Sequence, residues 1–440
     1  MHEHTEITTA ARRLERALHG KLHLPGDRAY DELRRPLDPA IDPRPAMVVE
    51  ASRAADVRAA LEIARDHDLP FAVQATGHGT RVPSDGGILV KTAAMATVLV
   101  DPDRRIARVG AGAVWGDVVA AAAPFGLAPL AGSSPSVGVA GYTLGGGVGW
   151  LARKHGFAAD SLIRAEVVTA DGAIVTASAD DHADLFWALR GGGGNFGVAT
   201  ALELRLHPVA RVYAGTAYFA IDRAADTLAR YRHWIAGAPD ELSTAVLLTR
   251  LPDGRRVLAL RAMFAGDAAD AERHLAPLRA VAGPALIDGL RPTTFAAAEM
   301  GGTAPRLLEL VDELPDAVID ALVAADEATV EVRHWGGAMA RPAADAGPVG
   351  HRDVPLSVIV DAELPAVAAA LAPHATGGSF LNFLRDPART ATAFTPANYR
   401  DLREVKATYD PDNVFRVNHN IPPALPNAAA ASATAAGAAR

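Results

Sequence analysis

Gly132-Ser-Ser-Pro-Ser-Val-Gly-Val-Ala-Gly-Tyr-Thr-Leu-Gly-Gly-Gly-Val-Gly149 is the stretch on which the reading of this chain turns. Seven of its eighteen residues are glycine, a density that no ordinary strand or helix tolerates. A second piece, Gln74-Ala-Thr-Gly-His-Gly-Thr80, lies about 50 residues upstream. Glycine lets main chain approach a ligand closely. Two such segments in one domain therefore suggest backbone N–H groups wrapped around an anionic group such as a pyrophosphate. His78 would sit beside whatever is bound, which makes a large phosphorylated cofactor the leading expectation.

Working outward, 440 residues are too many for one compact core, so two joined domains are expected. Half the residues are apolar and 21% are charged, as in an ordinary soluble protein. The net charge of −8 and the lack of a Lys/Arg block argue against nucleic acid as a partner. No apolar run approaches the length of a membrane span, and the N-terminus lacks the apolar stretch of a secretory signal. A cytoplasmic location is the default expectation. With no cysteine, the chain has no disulfide, thiolate metal site or Cys nucleophile. Its histidines are scattered singly, so spacing supports no metal site.

Periodicity predicts a surface helix at the N-terminus and strands at Met47–Glu50, Leu69–Val73, Ile88–Lys91, Val98–Asp101 and Ile106–Gly110. Helices are predicted over Arg53–Asp66, Trp115–Ala123 and Asp184–Leu189. A hairpin crosses Asp171-Gly172, and Val198–His207 alternates like a strand. From Ala214 to about Ala372, strands at Thr216–Ala220, Thr244–Thr249, Arg256–Phe264, Thr329–Trp335 and Leu356–Asp361 alternate with Ala-rich helical stretches. An antiparallel sheet covered by helices is the economical reading. A helix at Tyr399–Thr408 leads into Asp410-Pro-Asp-Asn413, and the Ala-rich residues 425–440 are expected to be a disordered tail. Gly192-Gly-Gly-Asn-Phe-Gly197 fits G-x-G-x-x-G, but a helix precedes it and a strand follows, the reverse of a dinucleotide fold.

Four segments, in order, carry a family resemblance: Gln74–Thr80; Val137–Gly149; Asp184-Leu-Phe-Trp-Ala-Leu-Arg-Gly-Gly-Gly-Gly-Asn-Phe-Gly-Val198; and Val405-Lys-Ala-Thr-Tyr-Asp-Pro-Asp-Asn-Val-Phe-Arg-Val-Asn-His-Asn-Ile-Pro422. Together they resemble the FAD-linked oxidases of the berberine bridge enzyme-like group, in the vanillyl-alcohol oxidase superfamily. The resemblance implies an α+β fold in which a PCMH-type FAD-binding domain carries an inserted substrate domain of antiparallel sheet plus helices. It places an N-terminal helical segment at 1–39, the FAD domain at 40–208, the substrate domain at 209–394 and a C-terminal return at 395–424. The cofactor implied is FAD.

The resemblance also implies roles. Gln74, Ala75, Thr76, Gly77, His78, Gly79 and Thr80 would form the loop around the FAD pyrophosphate. His78 matches the histidine that bonds covalently to the flavin, as a neutral imidazole can. Its Gly-Thr flank departs from the group's usual run, which leaves a hydrogen-bonded loop histidine and non-covalent FAD as the other reading. Ser134 stands where doubly tethered members carry cysteine, so a second bond is excluded. Ser136, Val137, Gly138, Gly141, Tyr142, Gly145, Gly146, Gly147, Gly149, Val198, Asn418 and Asn420 complete the expected FAD contacts. Val137 falls at the oxygen-gating position, where a small residue accompanies reaction with O2. Tyr142 either contacts the flavin or packs, and Trp150 either walls the flavin pocket or packs.

On the substrate side, alcohol-oxidising relatives often carry Tyr-x-Asn-Tyr, with tyrosine as base. Here the segment is Phe380-Leu-Asn-Phe383, so both hydroxyls are missing. The candidates left are Asn382 together with Glu331, Arg333 and His334. Strand alternation puts Glu331 and Arg333 on one face and His334 on the other. His334 is either a general base or structural; His351-Arg352-Asp353 is either structural or pocket rim. The expectation is a hydride-transferring oxidase of a sugar or secondary-metabolite alcohol, with O2 as acceptor and H2O2 as product. An amine substrate is the alternative, and a catalytically silent flavin-binding protein stands against both. A monomer or homodimer is expected.

Overall fold

The computed structural model describes residues 2–425, so all but the first residue of the tail expected at 425–440 lies outside the described residues. Three sheets organise the chain. The first contains β1 (Lys21–His23), β2 (Met47–Glu50), β3 (Phe71–Gln74) and β4 (Ile88–Lys91) in the order β1-β2-β4-β3, with β2, β4 and β3 parallel. Parallel neighbours need a crossover, and the helix Ala54–Asp66 supplies one between β2 and β3. Its Val57, Leu61 and Ala64 pack with Leu14 of the N-terminal helix His2–Ala17.

The second sheet runs β5 (Val98–Asp101), β6 (Ile106–Gly110), β9 (Val198–Arg205), β7 (Leu162–Val168), β8 (Ile174–Ser178), all antiparallel. Helices Trp115–Ala122 and Ala183–Leu189 cover it, together with Leu402 from the late helix Pro396–Tyr409. The chain thus returns at its end to the layer it built near its start.

Between those passes lies an eight-stranded antiparallel sheet: β10 (Arg211–Ala220), β11 (Leu242–Arg250), β12 (Arg256–Phe264), β13 (Ile287–Asp288), β14 (Arg291–Thr294), β15 (Leu307–Val311), β16 (Val330–His334) and β17 (Leu356–Val360). Its order is β13-β10-β12-β11-β16-β17-β15, with β14 also on β10. Val246, Leu248, Leu258, Leu260, Val330 and Val332 face helices Ala224–Trp234, Ala268–Ala282, Asp316–Ala324 and Pro365–Leu371. Alternate residues Ala245, Leu247, Ala259 and Met263 face the other way, toward Trp150 and Leu151. That face closes on the glycine-rich run. Sequence reading missed β13, β14 and β15, all at sheet margins; β14 contains Pro292, which central strands exclude.

The glycine-rich run itself requires a correction. Val139–Leu144, inside it, is a short helix, because four of its six side chains, Val139, Ala140, Thr143 and Leu144, are buried and hold the short helix in place. Among the described residues no helix is long and apolar enough to cross a membrane.

His155 and His207 stack with ring centroids 4.0 Å apart beside this junction. His207 Nε2 meets the Ser161 hydroxyl at 3.1 Å, while His155 Nε2 is buried without a partner. Burial, aided by Lys154 beside one ring and Arg205 beside the other and opposed by Glu241, pushes the pair down to about 4 and about 3. An unfolded histidine titrates near 6.5, so between that pH and about 4 the unfolded chain binds more protons. Stability therefore falls as pH falls through this window. Urea midpoints measured across it should decline, and the decline should be shallower in His155→Phe.

Candidate active site

The two loops singled out in the sequence meet at the ends of parallel strands. Gln74 closes β3 and Lys91 closes β4 at the same register position. The Lys91 ammonium donates to Gln74 Oε1, and Gln74 Nε2 donates to the Thr80 hydroxyl at 2.9 Å, which ties the loop's two ends together. Gly77 at its tip has φ +81°, and a Cβ there would lie 3.0 Å from Pro36 Cα. The backbone N–H groups from Ala75 to Gly79 find no acceptor among the described residues. A row of unpaired donors at a strand end is an anion cradle.

His78 is half-buried on that loop, and burial lowers its pKa. Its Nδ1 lies 3.1 Å from the Thr76 hydroxyl, and its Nε2 lies 3.4 Å from the Ser136 hydroxyl. Ser136 in turn meets Ser134 at 3.0 Å. The imidazole thus bridges the two loops. Gly138 is in van der Waals range of Ala75 and Thr76.

Most glycines of the run serve close packing within the chain. At Gly147, φ is +71° and a side chain would enter the Tyr142 ring. Gly145 and Gly149 likewise abut Asn382 and the Ala131 carbonyl, and Gly146 abuts Phe380, whereas Gly141 and Gly79 face open space. Asn382 accepts from the Gly147 N–H at 2.8 Å and donates to the Tyr142 and Gly141 carbonyls at 3.3 and 3.4 Å. Both ends of its amide are engaged in holding the run. Val137 is half-buried, its carbonyl accepting from the Trp115 N–H at 3.0 Å. Tyr142 packs edge-on to Trp115, and its hydroxyl is buried without a partner.

Glu331 and Arg333 lie on the sheet face that looks at this run. Glu331 is fully buried; it accepts from Arg333 Nε and from the Thr303 hydroxyl, both at 2.7 Å. Arg261 approaches the same carboxylate at 3.6 Å. The Arg333 guanidinium sits 4.5 Å from the centre of the Trp150 ring, whose N–H donates to Ser133 at 3.0 Å. His334 faces the helical side. Its Nε2 is 2.9 Å from the Arg153 guanidinium, and burial together with that cation pushes it down to about 3.

The remaining candidates divide between packing and polar edges. Phe380 is only 2% exposed, stacked on Phe157 and edge-on to Trp335 and to Phe383. His351 meets the Thr392 carbonyl at 2.8 Å, and Arg352 makes a bidentate pair with Asp160. Val198 lies in the core beside Phe415. Asn418 and Asn420, on the C-terminal return, each keep a buried side-chain oxygen without a partner. Unpaired N–H groups on one loop, orphaned oxygens on the C-terminal return and open space at Gly79 and Gly141 fit a flavin dinucleotide.

Residues 45–178 match the FAD binding domain family model, and residues 379–422 match the berberine and berberine-like model. An FAD binding domain and a berberine-like segment in one chain support an FAD-linked oxidoreductase similar to the berberine bridge enzyme-like group. This oxidoreductase is 29% identical to (R)-6-hydroxynicotine oxidase of Paenarthrobacter nicotinovorans, over 92% of this chain and 97% of that one. The crystal structure of 6-hydroxy-D-nicotine oxidase from Arthrobacter nicotinovorans superposes with a TM-score of 0.81 at 27% identity, covering 92% and 98% of the two chains. Xylooligosaccharide oxidase from Myceliophthora thermophila C1 shares the fold at 21% identity, with a TM-score of 0.83 over 95% of this chain and all of that one.

Sequence reading missed Arg261, Thr303, Ser133 and the buried Lys406 with its partners. Arg261 and Thr303 act through contacts between distant segments that local spacing cannot flag, whereas Ser133 and the i,i+4 pair Lys406–Asp410 lie inside motif segments whose side-chain contacts only the fold reveals.

Proposed function

We propose that this FAD-linked oxidoreductase is an oxidase that removes a hydride from a carbon of a small molecule, with the cofactor attached at His78 and O2 as electron acceptor. FAD, when bound, supplies the hydride acceptor and passes the electrons to oxygen, giving H2O2. The observation that carries the reading is the row of unpaired N–H groups from Ala75 to Gly79 beside an imidazole that bridges to the glycine-rich run. The N–H row would hold the pyrophosphate. Asn418 and Asn420 would meet polar edges of the cofactor, and the small Val137 would leave oxygen a path.

The site supports an amine better than the alcohol expected from sequence. Alcohol oxidation requires a group to take the hydroxyl proton. Phe380 and Phe383 cannot; the Glu331 oxygens already accept from Arg333 and Thr303 and face Arg261; His334 faces away. An amine bound as the free base needs no such group, and flanking cations favour that neutral form. One observation bears on the alcohol: the Tyr142 hydroxyl is buried without a partner near Arg333, although burial raises its pKa and opposes the phenolate that a base would need.

Anaerobic bleaching of the bound flavin with matched panels of cyclic amines and alcohols separates the readings. Amines should bleach, and Tyr142→Phe should leave their rates within about threefold. Alcohols that bleach, with a loss of about 100-fold or more in Tyr142→Phe, would establish Tyr142 as base and the alcohol as substrate. A flavin that no compound bleaches would leave a binding protein.

A further inference from the structure

On the substrate-facing side of the large sheet, charges do not cancel. Arg261, Ala245 and Arg333 are direct cross-strand neighbours on β12, β11 and β16, so both arginines project from one face. Glu331, two residues from Arg333, is the one carboxylate paired with them among the described residues. Arg333 spends only its Nε on Glu331; its two terminal amino groups have no acceptor among the described residues, although the side chain is 9% exposed. Arg261 reaches Thr216 weakly at 3.4 Å through Nε, and its Nη1 is buried with no hydrogen-bond partner. A buried guanidinium N–H without an acceptor is costly, as at Arg261 Nη1, and two guanidiniums beside one carboxylate leave an excess positive charge.

The surroundings hold that charge in place and leave it reachable. The Trp150 ring packs against the Arg333 guanidinium, and Gly301, beside the Arg261 guanidinium, brings no side chain over it. Arg333 also lies close enough to act electrostatically on Tyr142, so the cluster borders the glycine-rich run.

We propose that the substrate of this site carries a carboxylate, or an anionic group of like shape, bound by the outward N–H groups of Arg261 and Arg333. The inference rests on the oxidase reading above and adds the substrate's charge class. Planar guanidinium forks match a carboxylate's two oxygens, and Glu331 keeps Arg333 aligned for that pairing.

Calorimetric titration of the flavin-loaded protein with benzoate, benzamide and benzylamine tests it. Benzoate should bind at least about tenfold more tightly than benzamide and than benzylamine. Arg261→Gln should weaken benzoate about tenfold or more while leaving benzamide unchanged. Glu331→Gln should tighten benzoate, because it removes a like charge; a purely structural carboxylate would give a loss instead. This second variant decides the matter even where Arg261→Gln fails to fold. Equal binding of benzoate and benzamide, or preference for benzylamine, overturns the proposal. Flavin content in the same samples separates the two readings. Yellow protein that oxidises neutral amines but ignores benzoate sinks only the anionic subsite. Colourless protein that binds benzoate through Arg261 keeps the subsite and sinks the oxidase.

Discussion

Replacing Lys406 by methionine should destabilise the protein by about 3–5 kcal/mol, the usual effect of stripping one partner from a buried ion pair. Lys406 and Asp410 are both fully buried, one helical turn apart, and joined at 2.6 Å. The ammonium also donates to the carbonyls of Asn195 at 2.8 Å and Phe415 at 3.2 Å, so all three of its hydrogens are used. Asp410 accepts the N–H groups of Val414 and Phe415 at 2.7 and 2.9 Å. Without the lysine, a buried carboxylate faces a thioether. Thermal unfolding should show a midpoint lower by at least about 5 °C. Lys406→Met combined with Asp410→Asn should recover part of that loss, since no lone charge then remains.

The same substitution should reach the cofactor. Asn195 is buried and donates to the Gly192 and His419 carbonyls, while its side-chain oxygen accepts from the Ile421 N–H at 2.9 Å. Lys406 therefore clamps the Gly192–Gly197 turn to the irregular C-terminal return that carries Asn418 and Asn420. Loosening the clamp frees the segment that carries the orphaned oxygens proposed to meet the cofactor. Flavin retained per mole after dialysis should fall in Lys406→Met even at temperatures where the fold survives.

These contacts show what the sequence could and could not tell. Strands such as Ile88–Lys91 and Arg256–Phe264 were legible because apolar runs bounded by Gly, Pro and Asp leave few alternatives. The margins of the large sheet were not, since β13 and β14 have little apolar character and owe their shape to pairing with β10. The glycine-rich run was legible as a special segment, but its purpose was only half read. Open space at Gly79 and Gly141 suits a ligand, whereas Gly145 to Gly149 are small because Asn382, Phe380 and Tyr142 press against them. Alternation correctly separated Glu331 and Arg333 from His334. It said nothing of Arg261, which joins them from a strand about 70 residues away through the register of β11.

In His78→Ala the acid-precipitated protein should be colourless, with the flavin in the supernatant, whereas the unsubstituted protein should keep its colour in the pellet. The argument begins with the protonation state. Burial lowers the His78 pKa from its ordinary value near 6.5, so the ring stays neutral at neutral pH and keeps a lone pair. Its two nitrogens face hydroxyls, Thr76 at 3.1 Å and Ser136 at 3.4 Å, and a hydroxyl can donate or accept. The pair can therefore accommodate either tautomer, leaving one nitrogen bare. Because the pKa is lowered, the neutral form persists as pH falls through 6.5. The yield of acid-stable flavin, formed by mixing apoprotein with FAD, should stay flat across that range and drop only at lower pH. A yield that halves near or above 6.5 would contradict the buried imidazole. Colour that leaves the unsubstituted protein on acidification would show that FAD is held by the loop N–H groups alone. The cradle from Ala75 to Gly79 would survive that result, and the attachment at His78 would not.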